Sequence, residues 1–203
     1  MKGGAAAVFL DRDGVLVADV GYRRNTEGLA LLPGVAEGLR RLAEAGFLLV
    51  VVTNQSAIAR GLCTHEDQTR IHSRIAELLR AEGVEIEAWL LCPHHPTEGV
   101  PPFGQRPCRC RKPEPGLLHE AQSILNVSLE RSFLVGDRRS DVACAHRAGV
   151  KAVLLQGMPD RSKQEWSAEE RPDHTARDLP EAAAWILSVR KGRREQEREA
   201  VTA

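Results

Sequence analysis

A hydrophobic run that ends in two carboxylates constrains this chain more than any other feature. Residues 8–10 are Val-Phe-Leu, and Asp11, Asp13 and Gly14 follow within four positions. A buried strand can be apolar along its length, but ionised side chains at its end need water, a cation or a substrate to offset their lost hydration. Glycine then permits a tight backbone path. The pattern indicates a metal and phosphate site, and the alternative interpretation is a solvated turn.

Composition limits the classes of protein to which the chain can belong. Its 203 residues are 42% hydrophobic, enough for one domain with a real core, and 28 basic residues balance 28 acidic ones. This balance provides no overall basic field for nucleic acid, and no run reaches the ~18 apolar residues of a membrane span. We therefore expect a cytoplasmic protein that binds neither nucleic acid nor membrane. We also expect a monomer.

Alternating helix and strand patterns predict an α/β fold. Val35, Leu39 and Leu42 recur at helical spacing within a predicted helix over 34–45, and residues 47–52 form an apolar, β-branched run typical of a buried parallel strand. The prediction is a doubly wound, mostly parallel Rossmann-like sheet with helices on both faces and no large cap domain. The later elements are predicted as a helix over 64–83, a strand over 88–91, a helix from Pro115 to Leu125, a strand over 133–135, a helix over 142–148, a strand over 150–155 and a helix over 180–189.

The domain prediction is a single phosphate-handling domain over 1–189 and a charged tail over 190–203. The tail has no hydrophobic period, so we expect a frayed helix or a disordered segment. Residues 17–32 also lack a clear period and are predicted as a loop beside the site.

Polar residues follow two other predicted strands. Residues 53–56 (Thr-Asn-Gln-Ser) come after the second strand, and Asp137 and Asp141 come after the strand over 133–135. Functional groups gather at the carboxyl ends of strands in a doubly wound sheet, so these residues are expected to meet Asp11 and Asp13. Taken alone, residues 53–56 are more typical of a helix cap or a turn.

Two short cysteine motifs predict a zinc-stabilised loop over 92–110. Cys92 and His94 form the first half, and Cys108 and Cys110 form the second. Three thiols and one imidazole make a closed tetrahedral set, which is typical of structural zinc. His95 is an alternative ligand to His94, and the competing interpretation is a group of thiols without metal. Cys63 and Cys144 lie apart from these motifs and are interpreted as packing residues.

The zinc loop runs directly into two cations, Arg111 and Lys112. A metal that fixes Cys110 also fixes the residues beside it, so these cations can face a phosphate without a further loss of loop entropy on binding.

Together these motifs resemble the haloacid dehalogenase (HAD) superfamily of phosphohydrolases. The resemblance rests on DxDGV at 11–15, TNQS at 53–56, the lysine of RKP at 111–113 and GDxxxD at 136–141, and it covers residues 8–157 best. The cysteine motifs narrow it to two groups, the histidinol-phosphate phosphatases and the D-glycero-D-manno-heptose 1,7-bisphosphate phosphatases. The long interval between the two cysteine motifs resembles the interval in the heptose group.

The resemblance implies a phosphatase that forms an aspartyl phosphate. Asp11 is then the nucleophile, Asp13 the general acid and base, and Thr53 and Lys112 hold the phosphate oxygens. Catalytic Mg²⁺ is expected on Asp11, Asp137 and the backbone carbonyl of Asp13, and structural Zn²⁺ on the cysteine loop. The expected substrate contacts are Asp19, Gly21, Tyr22, Asn54, Gln55, Ser56 and Arg111, and the expected supports of the metal ligands are Asp141 and Arg138.

The resemblance favours a small phosphorylated sugar as substrate. The expected reaction removes the C7 phosphate of heptose 1,7-bisphosphate, within nucleotide-activated heptose biosynthesis. Histidinol-phosphate hydrolysis is the second interpretation. A zinc-stabilised nucleic-acid-binding module is the third, because Arg106, Arg109, Arg111 and Lys112 cluster in the sequence. Ala57 and Arg138 depart from the family pattern, where Gly and Lys are usual, and they put the substrate preference in question more than the reaction.

Overall fold

Six parallel strands form one sheet in the part of the chain that the structure describes. The computed structural model describes residues 4–105, 107–156 and 166–202. The strands are β1 (Ala7–Leu10), β2 (Leu48–Asn54), β3 (Ala88–Cys92), β4 (Phe133–Gly136), β5 (Lys151–Leu155) and β6 (His174–Ala176). The helices are α1 (Val35–Glu44), α2 (His65–Ala81), α3 (Gly116–Leu125), α4 (Arg139–Arg147) and α5 (Leu179–Thr202).

The order of the strands brings the ends of β1, β2 and β4 together. The sheet runs β3-β2-β1-β4-β5-β6, and every neighbouring pair is parallel. Because the order reverses beside β1, a crevice opens at the carboxyl ends of β1 and its neighbours. The predicted doubly wound, parallel fold class is confirmed.

Alternate side chains of the central strands point into two separate cores. Val8 and Leu10 pack on one face with α1, α2 and α5, while Ala7 and Phe9 pack on the other with α3 and α4. Strands β1, β2 and β4 are apolar along most of their length because helices cover both faces of the sheet. This burial fixes the strand ends that carry the polar residues.

The cap of α2 follows the sequence prediction. Thr64 is the N-cap, its hydroxyl accepts a hydrogen bond from the backbone N–H of Asp67, and the Asp67 carboxylate accepts one from the backbone N–H of Thr64. This capping box satisfies two backbone donors at the start of the helix.

The start of one predicted helix and the number of strands differ from the structure. Helix α4 begins at Arg139 and not at Val142, because Asp141 lies at its third position and accepts a hydrogen bond from the N–H of Arg138, the N-cap. Strand β6 was not predicted at all, because its sequence His-Thr-Ala has no apolar run.

Helix α5 continues across the predicted domain boundary after residue 189. Arg190 lies over the Phe47 ring at 4.5 Å, and Arg193 donates a hydrogen bond to the carbonyl of Glu130 at 2.9 Å. The division into a domain and a tail stays a prediction. None of the helices within the described residues is long and apolar enough to cross a membrane.

Candidate active site and metal-binding loop

Asp11 lies at the centre of the crevice and pairs with a buried lysine. Its Oδ1 is 3.1 Å from Lys112 Nζ and accepts a 2.7 Å hydrogen bond from the N–H of Arg12. Lys112 Nζ also lies 2.6 Å from Asp141 Oδ1 and donates to the Val52 carbonyl. No described residue donates a hydrogen bond to Asp11 Oδ2, so this oxygen is left available.

The charge of Lys112 is maintained by its neighbours. Burial lowers the pKa of the lysine, but Asp11 and Asp141 outweigh this effect and raise it above its ordinary value. The ammonium group therefore stays protonated although the lysine is buried. Its burial also removes it from any exposed basic surface of the kind the nucleic-acid interpretation requires, and Arg106 lies outside the described residues.

Asp137 is a buried carboxylate without a hydrogen-bond donor in the described part of the chain. Burial, then the charges of Asp11 and Asp141, raise its pKa to about 7. One oxygen from each of these three residues lies within 4.8 Å of the other two. Such a crowded acidic group is costly without a cation, and carboxylate oxygens are the ligands that Mg²⁺ prefers. The residues present therefore fit a hard divalent cation.

Gly14 allows Asp137 to lie against the backbone of the loop after β1. A Cβ atom at this position would stand 2.1 Å from Asp137 Oδ2, and the backbone φ of +81° also favours glycine. The glycine next to the two carboxylates thus has a steric reason that the sequence alone does not reveal.

Asp13 is held by a buried arginine, Arg12, which is not among the predicted site residues. Arg12 donates to Asp13 Oδ2 through Nε at 3.1 Å and Nη2 at 2.7 Å, and its side chain is fully buried. Its Nη1 donates to Gln68 on α2 and lies 3.4 Å from Nε2 of His72. Burial, then the charge of Arg12, lower the pKa of His72 to about 3, so the ring is neutral at pH 7.

The side chains at the end of β2 are engaged with other site residues. Asn54 forms two 3.0 Å hydrogen bonds with the backbone of Lys112, one with its N–H and one with its carbonyl. Gln55 Nε2 donates to Thr53 Oγ1 at 2.9 Å and to Asp13 Oδ2 at 2.8 Å. The structure therefore brings Thr53, Asn54 and Gln55 into the site, where they contact protein groups.

The four predicted zinc ligands lie together. Ligand atoms of Cys92, His94, Cys108 and Cys110 are all within 4.8 Å of one another, so the group can hold a metal ion. The pKa of the Cys110 thiol lies well below its ordinary value because Cys92, and then His94 and Cys108, form hydrogen bonds with it. A thiolate is the form that binds metal. The alternative ligand His95 lies outside this group.

The loop between the cysteine motifs packs on the loop that follows β2. Val100 N–H donates to the Ala59 carbonyl at 2.8 Å, and a Cβ atom at Gly99 would stand 2.2 Å from the same oxygen. Arg60 forms an ion pair with Glu98. The Arg111 side chain donates to the His94 carbonyl at 3.1 Å. The loop therefore contacts both Arg111, which follows it, and the segment after β2.

A cavity of about 490 Å³ opens above Asp11. On one side, Asp19 accepts a 2.6 Å hydrogen bond from Arg138, which lies 3.9 Å from Asp137. On another, Tyr22 lies under the guanidinium of Arg60 at 5.3 Å. The predicted site residues that line the cavity are Asp11, Asp13, Asp19, Gly21, Tyr22, Thr53, Asn54, Gln55, Ser56, Arg111, Lys112 and Arg138.

Three further residues line this cavity without having been predicted to contact substrate. They are Arg60, His95 and Ser140. Arg60 belongs to the segment after residues 53–56, and His95 was considered only as a zinc ligand, so their approach to the cavity depends on the folding of the two loops. Asp137, a predicted metal ligand, and Asp141, a predicted support of the ligands, lie in the acidic group with Asp11 and do not line the cavity.

Comparison with known proteins agrees with this arrangement. A family model described as HAD-hyrolase-like matches residues 109–182. A D-glycero-beta-D-manno-heptose-1,7-bisphosphate 7-phosphatase from Yersinia pestis is 39% identical over 178 residues, which are 87% of this chain and 94% of that protein. The protein of the same name from Escherichia coli strain K12 is 38% identical over 87% of this chain and 92% of its own length.

A solved structure extends the similarity to three dimensions. It is the D,D-heptose 1,7-bisphosphate phosphatase from B. bronchiseptica complexed with magnesium and phosphate, with a TM-score of 0.76 and 29% identity. The match covers 90% of this chain and 98% of that one. The predicted resemblance is confirmed, and the chain belongs to the D-glycero-beta-D-manno-heptose-1,7-bisphosphate 7-phosphatase family of HAD-like hydrolases.

Proposed function

We propose that this chain hydrolyses the C7 phosphate of D-glycero-D-manno-heptose 1,7-bisphosphate, leaving heptose 1-phosphate for nucleotide-activated heptose biosynthesis. The observation that carries the proposal is the cavity above Asp11. One oxygen of this carboxylate is available, and the other pairs with the buried Lys112. The relatives named for this reaction match most of the chain, and this supports the choice of substrate.

Asp11 is the proposed nucleophile. Its Oδ1 is occupied by Lys112 and by the N–H of Arg12, so Oδ2 attacks phosphorus. The bond between phosphorus and the C7 oxygen breaks, and Asp13 gives a proton to the departing alkoxide. Water then attacks the aspartyl phosphate, Asp13 takes its proton, and the bond between phosphorus and Asp11 breaks to release inorganic phosphate. Two moderate steps replace one difficult displacement.

Mg²⁺ on Asp11, Asp137 and the backbone carbonyl of Asp13 would reduce repulsion between the anionic nucleophile and the anionic phosphate when bound. The buried, hydrogen-bond-free Asp137 carboxylate supports this assignment. Asp141 lies close enough to join the ligands or to support them through Lys112. Thr53 and Lys112 hold the other phosphate oxygens as charge shifts during transfer.

The substrate's second phosphate is assigned to Arg111, whose planar guanidinium can bind two oxygens at once. Arg111 lines the same cavity as Asp11, and a bisphosphate can reach both only if it crosses that cavity. Asp19, Gly21, Tyr22 and Ser56 are proposed to contact the sugar between them. Asn54 and Gln55 were also predicted to bind substrate, and this role stays a prediction because their side chains are engaged elsewhere.

The cysteine loop is proposed to hold structural Zn²⁺ through Cys92, His94, Cys108 and Cys110. Three soft thiolate donors and one imidazole favour zinc over magnesium, and the full set leaves no ligand position for a reactive water. The metal would then act on the reaction only through the position of Arg111 and Lys112. We also keep the expectation of a monomer in the cytoplasm as a prediction.

A phosphate-release screen tests the proposed function. The substrates are both anomers of heptose 1,7-bisphosphate, histidinol phosphate and simple sugar monophosphates, each with Mg²⁺. We expect the highest kcat/KM for one anomer of the bisphosphate and loss of the C7 phosphate alone. A clear preference for histidinol phosphate would assign the chain to that reaction instead.

A further inference from the structure

Gln55 occupies a fixed position between two groups with different tasks. Its backbone N–H donates to the carbonyl of Cys92 at 2.8 Å, which ties the end of β2 to the end of β3. Its side chain is only 5% exposed and points toward the loop after β1. Both the backbone and the side chain of Gln55 are therefore held by other protein groups.

The direction of the Gln55 amide follows from simple donor and acceptor chemistry. Asp13 Oδ2 already accepts two hydrogen bonds from Arg12, so this oxygen acts as an acceptor. The amide must therefore turn its Nε2 group, and not its oxygen, toward Asp13 at 2.8 Å. The same nitrogen then turns its second proton to Thr53 Oγ1 at 2.9 Å.

This arrangement decides what the Thr53 hydroxyl can do. Because its oxygen accepts a hydrogen bond from Gln55, its own O–H must donate to a different acceptor. No described residue accepts it, although Thr53 is buried and lines the cavity. An anionic phosphate oxygen above Asp11 would supply that acceptor. The hydroxyl is thus prepared as a donor before the substrate arrives.

The Gln55 amide also helps to determine which oxygen of Asp13 is left for proton transfer. Oδ2 accepts three hydrogen bonds, two from Arg12 and one from Gln55, while no described residue donates to Oδ1. One oxygen of the carboxylate is therefore held and the other is left for proton transfer. The residue that points Thr53 at the phosphate also helps to fix the acid that protonates the leaving group.

We propose that Gln55 is a positioning residue that couples Thr53 to Asp13 and does not bind the sugar. The inference rests on the proposed phosphatase activity but not on the identity of its sugar substrate. It differs from the role in substrate binding that the sequence predicts for this residue.

Inorganic phosphate tests the proposal because it has no sugar to contact. We compare wild type with Gln55→Leu and with Gln122→Leu, a matched change at an exposed position on α3. The inhibition constant of inorganic phosphate and the kcat/KM for an aryl phosphate are measured with Mg²⁺. We expect Gln55→Leu to weaken phosphate binding and to lower kcat/KM by about tenfold each, the size of one hydrogen bond to a charged group, with Gln122→Leu unchanged. Unchanged values in Gln55→Leu would overturn the proposal in favour of a sugar contact.

A double-mutant cycle gives a second test that a general loss of stability would not reproduce. If Gln55 acts through Thr53, then Gln55→Leu has a much smaller effect on aryl phosphate hydrolysis in a Thr53→Val background than in wild type. Fully additive effects would contradict the coupling.

Gln55→Glu, which keeps the shape but brings a carboxylate to Asp13, is expected to lose at least as much activity as Gln55→Leu. A fully active Gln55→Glu enzyme would also contradict it.

The two tests separate this proposal from the proposed function. If wild type fails to hydrolyse heptose bisphosphate but cleaves the aryl phosphate, the sugar assignment fails while the role of Gln55 is still measured. If wild type cleaves both and the Gln55 variants match it, the role of Gln55 fails alone.

Discussion

Gly14 shows how closely backbone and carboxylate are packed at the centre of the site. Gly14→Ala would place a methyl group 2.1 Å from Asp137 Oδ2 and would also strain a backbone φ of +81°. Mutating a residue that supports a metal ligand typically costs about 10- to 100-fold in metal affinity or activity. We therefore expect Gly14→Ala to raise the Mg²⁺ concentration for half-maximal activity by that factor, as measured by titration of initial rates.

Gly83→Ala is the matched control for this change. Gly83 has a similar φ of +75°, but no atom lies within 4 Å of the added Cβ. Both variants should lose about 1 kcal/mol of stability to backbone strain. Only the variant at Gly14 should need more Mg²⁺, and equal Mg²⁺ requirements in the two would contradict the assignment of Asp137 to the metal.

At the scale of single residues, the sequence predicted the carboxylates better than their supports. Asp11 and Asp137 follow apolar runs, and a charged group at the end of a buried strand is a signal that one sequence can carry. Arg12 gave no such signal, because its partners Gln68 and His72 lie on α2, more than fifty residues away. The contact between Asn54 and the Lys112 backbone depends on the folding of the metal loop in the same way.

At the scale of elements, the loop that contains the predicted zinc ligands connects them to the phosphate site. It begins at the end of β3, returns past the segment after β2, and ends at Lys112, whose backbone is held by Asn54. The loop has few apolar residues, so we expect the proposed ion to contribute to its order. Loss of the ion should therefore lower activity even when the catalytic residues are unchanged.

Cys108→Ser tests this dependence. We expect the variant to lose bound zinc, measured by mass spectrometry of the metal, and to lose about 100-fold in kcat, because a cation displaced by about 1 Å no longer fits the transition state. Cys63→Ser is the control, since Cys63 is a buried cysteine outside the ligand group. Normal zinc content and normal kcat in Cys108→Ser would show that the loop does not need the metal.

The predicted elements were right where packing alone determines them and less so where local polar contacts do. The apolar runs of β1 and β4 and the helical spacing of α1 predicted these elements to within about two residues. The start of α4 was wrong because the carboxylate of Asp141 caps the helix from inside its first turn. Strand β6 is three residues long at the edge of the sheet, too short for a periodic signal.

At the scale of the whole molecule, the end of α5 decides how far the domain extends. Arg190 and Arg193 contact Phe47 and the carbonyl of Glu130, so the first residues of the predicted tail belong to the packed structure. A chain that ends after residue 193 should melt within about 1 °C of the full chain. A chain that ends after residue 189 should melt about 2–4 °C lower, since each kcal/mol lost shifts the midpoint of a protein of this size by that amount. Equal melting temperatures would place the boundary at residue 189, as the sequence predicted.

The whole fold serves to bring four separate stretches of sequence to one point. Strand order places the ends of β1, β2 and β4 side by side, and the loop that follows β3 adds the lysine. The sequence could predict this convergence because parallel strands gather their carboxyl ends at one edge of a sheet. It could not predict which oxygen of each carboxylate is occupied, since that depends on side-chain contacts between distant elements.

The most direct test of the central claim is the rate of phosphate release from heptose 1,7-bisphosphate by wild type and by Asp11→Asn, both with saturating Mg²⁺. The amide keeps the size of the side chain but removes the nucleophile, and we expect turnover to fall by about 1,000-fold or more. Circular dichroism and melting temperature confirm that the variant is folded. A folded Asp11→Asn enzyme that releases phosphate at the wild-type rate would contradict the account.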